Sequence, residues 1–225
     1  MSSKKRNVIS EARRQLLSQQ DVVYAVRCNG TDCDCSDFGI DCRRGFFSLW
    51  IQAIYGLYFA KNLGIVCYID FSDKPYLYSD PVRYPGDLNF WNYYYEQGAK
   101  PKGRIIPNDQ LETYPLRIWN RNHLRKVHGT VFKDLKLVNE VKSYIDNLVS
   151  TFNGTSTLGV HIRGTDHPDE VPRVPLERYR KILKAHLKGY QKIYVATDEK
   201  PVLESLIDEF GDRLVYQEAI RSDSQ

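Results

Sequence analysis

Hydrophobic and polar positions alternate in two regular stretches separated by an irregular one. Residues 11–20 have helical spacing, and DVVYAVR (21–27) has the β-branched density of a buried strand. A loop rich in Gly, Cys and Asp runs to Arg44, followed by apolar residues over about 45–63 that predict a buried helix closed by Gly64. IVCYID (65–70) predicts a second strand, and strand, helix, strand in this order implies parallel pairing.

From 71 to 119 the pattern breaks up. Pro75, Pro81, Pro85, Pro101, Pro107 and Pro115 exclude long regular elements, and only 89–97 reads as a short helix. Helical spacing resumes near 120–128 and again over 134–152, where Leu135, Val138, Val141, Ile145, Leu148 and Val149 share a face. After Gly154 the pattern becomes regular: strands at 157–163, 192–197 and 213–217 alternate with helices at 175–187 and 201–210. This is βαβαβ, half of a nucleotide-binding sheet. The expectation is therefore an α/β protein with two parallel-sheet parts, 1–119 carrying the irregular 71–119 segment and 120–225 carrying the βαβαβ run.

Charge narrows the partners. Lys and Arg exceed Asp and Glu by 32 to 28, a formal net charge of +4. Much of the excess sits at the N-terminus and at Arg117, Arg121, Arg125 and Lys126, too scattered for a nucleic-acid surface yet suited to an anionic ligand. No apolar run follows the basic N-terminus, so no signal peptide is expected and the chain reads as cytoplasmic. The greasy stretch 45–60 is interrupted by Ser48 and Gln52 and preceded by Arg43 and Arg44, so it reads as a core helix and not a membrane span. Asn29 and Asn153 begin glycosylation sequons that, without a secretory signal, read as turns. Cys28, Cys33, Cys35 and Cys42 lie in one loop with no C-x2-C pair, a poor zinc pattern. Unpaired thiols, a disulfide and a metal site all stay open for them. The 16 tyrosines, many between Tyr55 and Tyr95, suit sugar binding and ordinary cores alike. His123 and His128 do not share a helix face well and read as surface residues.

The chemistry is expected at the carboxyl ends of the parallel strands, where loops diverge and helix N-termini converge. Two such ends stand out, HIRGTDH (161–167) and ATDE (196–199). Alternation puts His161 and Arg163 on one face of the strand and Ile162 on the other, while Gly164 lets backbone approach a ligand. A guanidinium there can grip a diphosphate with two prongs and offset the charge of a departing nucleotide. It can equally pair with Asp166 or Asp198 to tie strand ends together, and His161 can equally be a core histidine bonded to backbone. The pattern alone leaves both pairs of readings open.

HIRGTD (161–166) followed one βα unit later by YVATDE (194–199) resembles the paired signature of the α1,6-fucosyltransferases and their nodulation and protein O-fucosyltransferase relatives. GFFS (45–48) with its helix, VCYID (66–70) and NFWNYYY (89–95) resemble, less specifically, the acceptor-side part of bacterial and viral members. The resemblance implies two Rossmann-like lobes of GT-B type, a GDP-fucose donor, a glycan or other hydroxyl acceptor, inversion at the anomeric carbon, and no metal or other cofactor. It implies that Arg163 binds the β-phosphate, that His161 lies near the nucleoside, and that Gly164, Thr165, Asp166, Asp198 and Glu199 shape the donor pocket. Glu170 falls, with a one-residue gap, near a proposed general base, and Tyr179 matches a tyrosine of the following helix. Aspartate and glutamate in a Pro-flanked loop also read simply as solvated, which keeps a second reading of Glu170 open. Gly164 and His167 stand where many α1,6 enzymes carry a second arginine and a lysine. AIRSD (219–223) resembles the run before the family's last segment, so the second lobe is expected to be truncated. The alternatives are a non-catalytic truncated relative, or an unrelated α/β protein that binds a nucleotide sugar or another phosphorylated ligand.

Overall fold

The computed structural model describes residues 9–28, 42, 44–109, 112, 121–152, 154–164 and 172–223. The chain divides into two compact units, Met1–Lys142 and Ser143–Gln225.

The first unit is built on a parallel sheet with strand order β2-β1-β3. Its centre is β1 (Val22–Val26), buried along its whole length as its run of apolar residues requires. The connection from β1 to β2 (Cys67–Ile69) runs through α2 (Phe46–Leu63), which packs on both strands. Gly64 ends that helix at φ 66°, a left-handed conformation in which its N–H reaches the carbonyls of Ala60 and Lys61. α1 (Glu11–Leu17) begins at Ser10, whose hydroxyl accepts from Arg13 N, and lies against β1. On the other side of β1 is a strand the sequence pattern missed, β3 (Arg104–Pro107), paired in register from Val22↔Arg104 to Ala25↔Pro107. Its four residues end in proline, and the strand is marginal until β1 supplies its ladder partners.

The expected helix at 89–97 is only a 3-10 turn, Phe90–Tyr93. Its rings are core material: Phe90 stacks on Phe71 at 4.8 Å and 7°, and Trp91 on Tyr95 at 4.4 Å. The aromatic density of this unit thus goes largely into its own core. α3 (Arg121–Val131) packs on α2. His123 and His128, expected at the surface, are half-buried; His123 stacks on Tyr55 and His128 on Phe132, because the aromatics of and beside α2 offer them a flat apolar face. The amphipathic helix expected over 134–152 is present as α4 (Asn139–Ser150), but none of its residues is buried; Tyr144, Ile145 and Val149 stay exposed.

In the second unit β4 (Thr157–Ile162), β5 (Lys192–Thr197) and β6 (Leu214–Tyr216) form a parallel sheet in that order, with register Ile162↔Thr197 and Val195↔Tyr216. α5 (Leu176–His186) links the first pair and α6 (Lys200–Phe210) the second. Ile193, Val195, Leu203 and Leu206 form its core with Ile162 and Leu183. Among the described residues no helix is long and apolar enough to cross a membrane.

Candidate functional site

The ends of β4 and β5 lie side by side because the two strands pair in parallel through their last residues. The expected alternation holds: Ile162 is buried at 5% exposure, while His161 and Arg163 are both exposed on the other face. His161 is therefore not a core histidine. Gly164, the next residue, is buried, and its N–H donates to Asp198 Oδ1 at 3.1 Å, joining the two strand-end motifs.

Gly164 is needed for its size. A Cβ built there would lie 2.2 Å from Glu199 Oε2 and 2.6 Å from Glu199 Cδ, because the Glu199 carboxylate packs directly against the glycine. Glu199 is the N-cap residue of α6, yet its side chain makes no capping bond. It turns inward, to 1% exposure, and accepts from Arg173 Nη2. Arg173 comes from the stretch before α5 and keeps 42% of its side chain exposed. Sequence reasoning missed it: Arg173 stands between Pro172 and Pro175, outside any periodic pattern, and only the fold brings it to Glu199.

Segment 217–223 closes the outer side of these strand ends. Ser222 N donates to Asp198 O and Lys200 N to Ser222 O, a parallel bridge beyond the end of β6. Arg221 Nε donates to Thr197 O, and its guanidinium lies 5.9 Å from the Tyr216 ring centre. Tyr179, on α5, is half-buried and packs on the core of this unit. Thr165, Asp166, His167 and Glu170 lie outside the described residues, as do Cys33, Cys35, Arg117 and the Asn29 and Asn153 side chains.

The first unit has its own polar strand ends. Asp70, after β2 and fully buried, takes Arg27 Nη2 at 2.6 Å, Arg27 Nε at 3.0 Å and Lys100 Nζ at 2.9 Å on Oδ2, and Ser72 Oγ at 2.7 Å on Oδ1. Burial by itself would push this carboxyl up, but the hydrogen bonds from Ser72, Lys100 and Arg27 and the Arg27 charge outweigh it and leave the group below the usual carboxylate range. Asn108, after β3, accepts from Arg27 N at 2.5 Å, and the buried Gln52 accepts from Arg44 Nη1 at 2.7 Å. Arg27, Asp70 and Asn108 tie the ends of β1, β2 and β3 together beyond their last ladder bonds. Cys28, Cys42 and Cys67 form no disulfide, which removes a bridge between the first and last cysteines of the loop. Among the described residues no cluster of His, Cys, Asp and Glu could hold a metal ion.

No family model matches the chain, and no curated protein matches its sequence. Solved structures do match. The crystal structure of fucosyltransferase NodZ from Bradyrhizobium aligns with a TM-score of 0.52 at 17% identity, over 90% of this chain and 79% of that one. NodZ alpha-1,6-fucosyltransferase soaked with GDP-fucose aligns at 0.51 and 17% identity, over 89% and 78% of the two chains. The same enzyme co-crystallized with GDP aligns at 0.51 and 18% identity, over 89% and 79%. The chain thus has the mixed α/β, parallel-sheet fold of the NodZ fucosyltransferases, the relatives its two strand-end motifs resemble.

Proposed function

We propose that this chain is a glycosyltransferase of GT-B type that takes fucose from GDP-fucose and transfers it, with inversion and without a metal, to a hydroxyl of a glycan or similar acceptor. One observation carries the reading: the exposed Arg163 stands beside the junction where Gly164 N–H meets Asp198, at the carboxyl end of a parallel sheet. The NodZ structures solved with GDP-fucose and with GDP support this choice of donor.

In the proposed reaction the acceptor oxygen attacks fucose C1 from the face opposite the nucleotide. The C1–O bond to the β-phosphate breaks as the new C1–O bond forms, and GDP leaves with the bonding pair. Glu170 takes the acceptor proton, and the Arg163 guanidinium offsets the charge gathering on the leaving diphosphate. His161, on the same strand face as Arg163, is assigned to the nucleoside side, and Gly164, Thr165, Asp166, Asp198 and Glu199 to the donor pocket, together with Tyr179 of the helix that follows.

Isothermal titration with GDP tests the reading. A charge-assisted, two-pronged arginine contact is worth about 1.5–3 kcal/mol, so Arg163→Ala is expected to weaken GDP by roughly ten- to a hundredfold. Unchanged affinity in that variant would overturn the assignment. GDP binding without fucose transfer identifies the chain as a sugar-nucleotide binder, and GDP binding no better than AMP or UDP points to another phosphorylated ligand.

A further inference from the structure

A buried carboxylate is costly unless a cation or hydrogen bonds compensate it, and Glu199 is compensated by Arg173. We propose that Arg173 is a second arginine for the donor diphosphate, presented by Glu199; the assignment rests on the GDP-sugar reading above. Three observations converge on it. The Glu199 carboxylate packs against Gly164, the residue next to Arg163, so a guanidinium bonded to that carboxylate belongs to the same strand end. The Arg173 side chain is 42% exposed and, among the described residues, donates to Glu199 alone, so its other donors can turn to a ligand. Glu199 itself is fixed by burial and by its place at the start of α6, so Arg173 is held ready instead of being ordered on binding.

The geometry also sets the size of the effect. Arg173 and Glu199 cancel in net charge, so Arg173 attracts the diphosphate through directed hydrogen bonds at short range and adds little long-range field. Its loss is expected to weaken GDP by about tenfold. Arg163 acts by touching the ligand; Glu199 acts only through Arg173 and is a positioning residue.

A purely structural Arg173, present to neutralise Glu199, makes a different prediction. The paired variant Arg173→Met with Glu199→Gln removes both charges, leaves no buried ion unmatched, and is expected to keep the urea midpoint of the wild type while GDP affinity falls about tenfold. Arg173→Lys keeps a cation for Glu199 but loses the planar fork, and is expected to lose GDP affinity at least threefold with stability unchanged. If the paired variant fails to fold, the lysine variant decides. GDP affinity within twofold of wild type in these variants, with Arg163→Ala still defective, overturns the role of Arg173 and leaves the donor reading standing. A wild-type chain that does not bind GDP overturns both.

Discussion

Replacing Gly164 by alanine probes the contact on which the strand-end site is built. The added methyl would sit 2.2 Å from Glu199 Oε2, 2.6 Å from Cδ and 2.9 Å from Oε1. Carbon and oxygen atoms in contact need about 3.5 Å, so the carboxylate must retreat by more than about 1 Å. A terminal carboxylate can normally swing away, but this one is 1% exposed and bonded to Arg173. Retreat means overpacking, about 1–3 kcal/mol, and loss of an ion pair whose arginine is 42% exposed and which is therefore worth no more than about 1 kcal/mol. A total of about 2 kcal/mol multiplies the open population of this sheet by roughly thirty. The described tryptophans, Trp50 and Trp91, belong to the first unit, so the readout is taken on the strands of the second. Hydrogen exchange followed by mass spectrometry supplies it: amides of β4 and β5 are expected to exchange roughly thirtyfold faster, while those of β1 do not change. On a Glu199→Ala background the same substitution should cost less than about 1 kcal/mol, because the obstructing group is gone. Exchange within twofold of wild type, or an equal cost in both backgrounds, would refute the argument.

Three further expectations follow from the polar and thiol groups. Asp70→Asn leaves Arg27 and Lys100 without their shared carboxylate; with side chains 26% and 45% exposed, the cost is about 2 kcal/mol, below the range for fully buried pairs. Because the Asp70 carboxyl lies below its ordinary value, its contribution is complete above about pH 4 and disappears as pH falls through the folded-state value. Tryptophan-monitored urea curves should therefore separate wild type from Asp70→Asn at pH 7 and converge in acid; a constant separation down to pH 3 would contradict this. The thiols should react slowly in the native protein: Cys28 and Cys42 are buried, the neighbouring Cys28 and then burial raise Cys42, and desolvation pushes the half-buried Cys67 up to about 12. Peptide mapping after iodoacetamide at pH 7.5 is expected to find Cys28, Cys42 and Cys67 modified only slowly until the chain is denatured, and rapid native labelling of Cys67 would count against the desolvation argument.

The reach of the sequence is clear in particular elements. β1, α2, β5 and α6 are long or strongly patterned, and their apolar spacing alone selects both type and position to within a residue or two. β3 carries no such pattern; Arg104–Pro107 is a strand because β1 offers an open edge to a proline-rich segment. The amphipathic face of α4 is plain in the sequence, yet what covers a face is a tertiary matter, and none of its residues is buried.

The same division runs through the site. Period-2 alternation determined that His161 and Arg163 share one face and that Ile162 takes the other, since that follows from strand geometry alone; that the shared face is the exposed one was decided by the fold. The fold decided what the neighbouring residues do. Glu199 sits beside Asp198 in one exposed-looking motif, yet it is buried against Gly164 and paired with Arg173, twenty-six residues away. No local spacing encodes that pairing, because it arises only when β4 and β5 align in register and bring the start of α6 against the turn after Ile162. Periodicity records what each strand presents; which side chains meet depends on strands that are distant in sequence and adjacent in space.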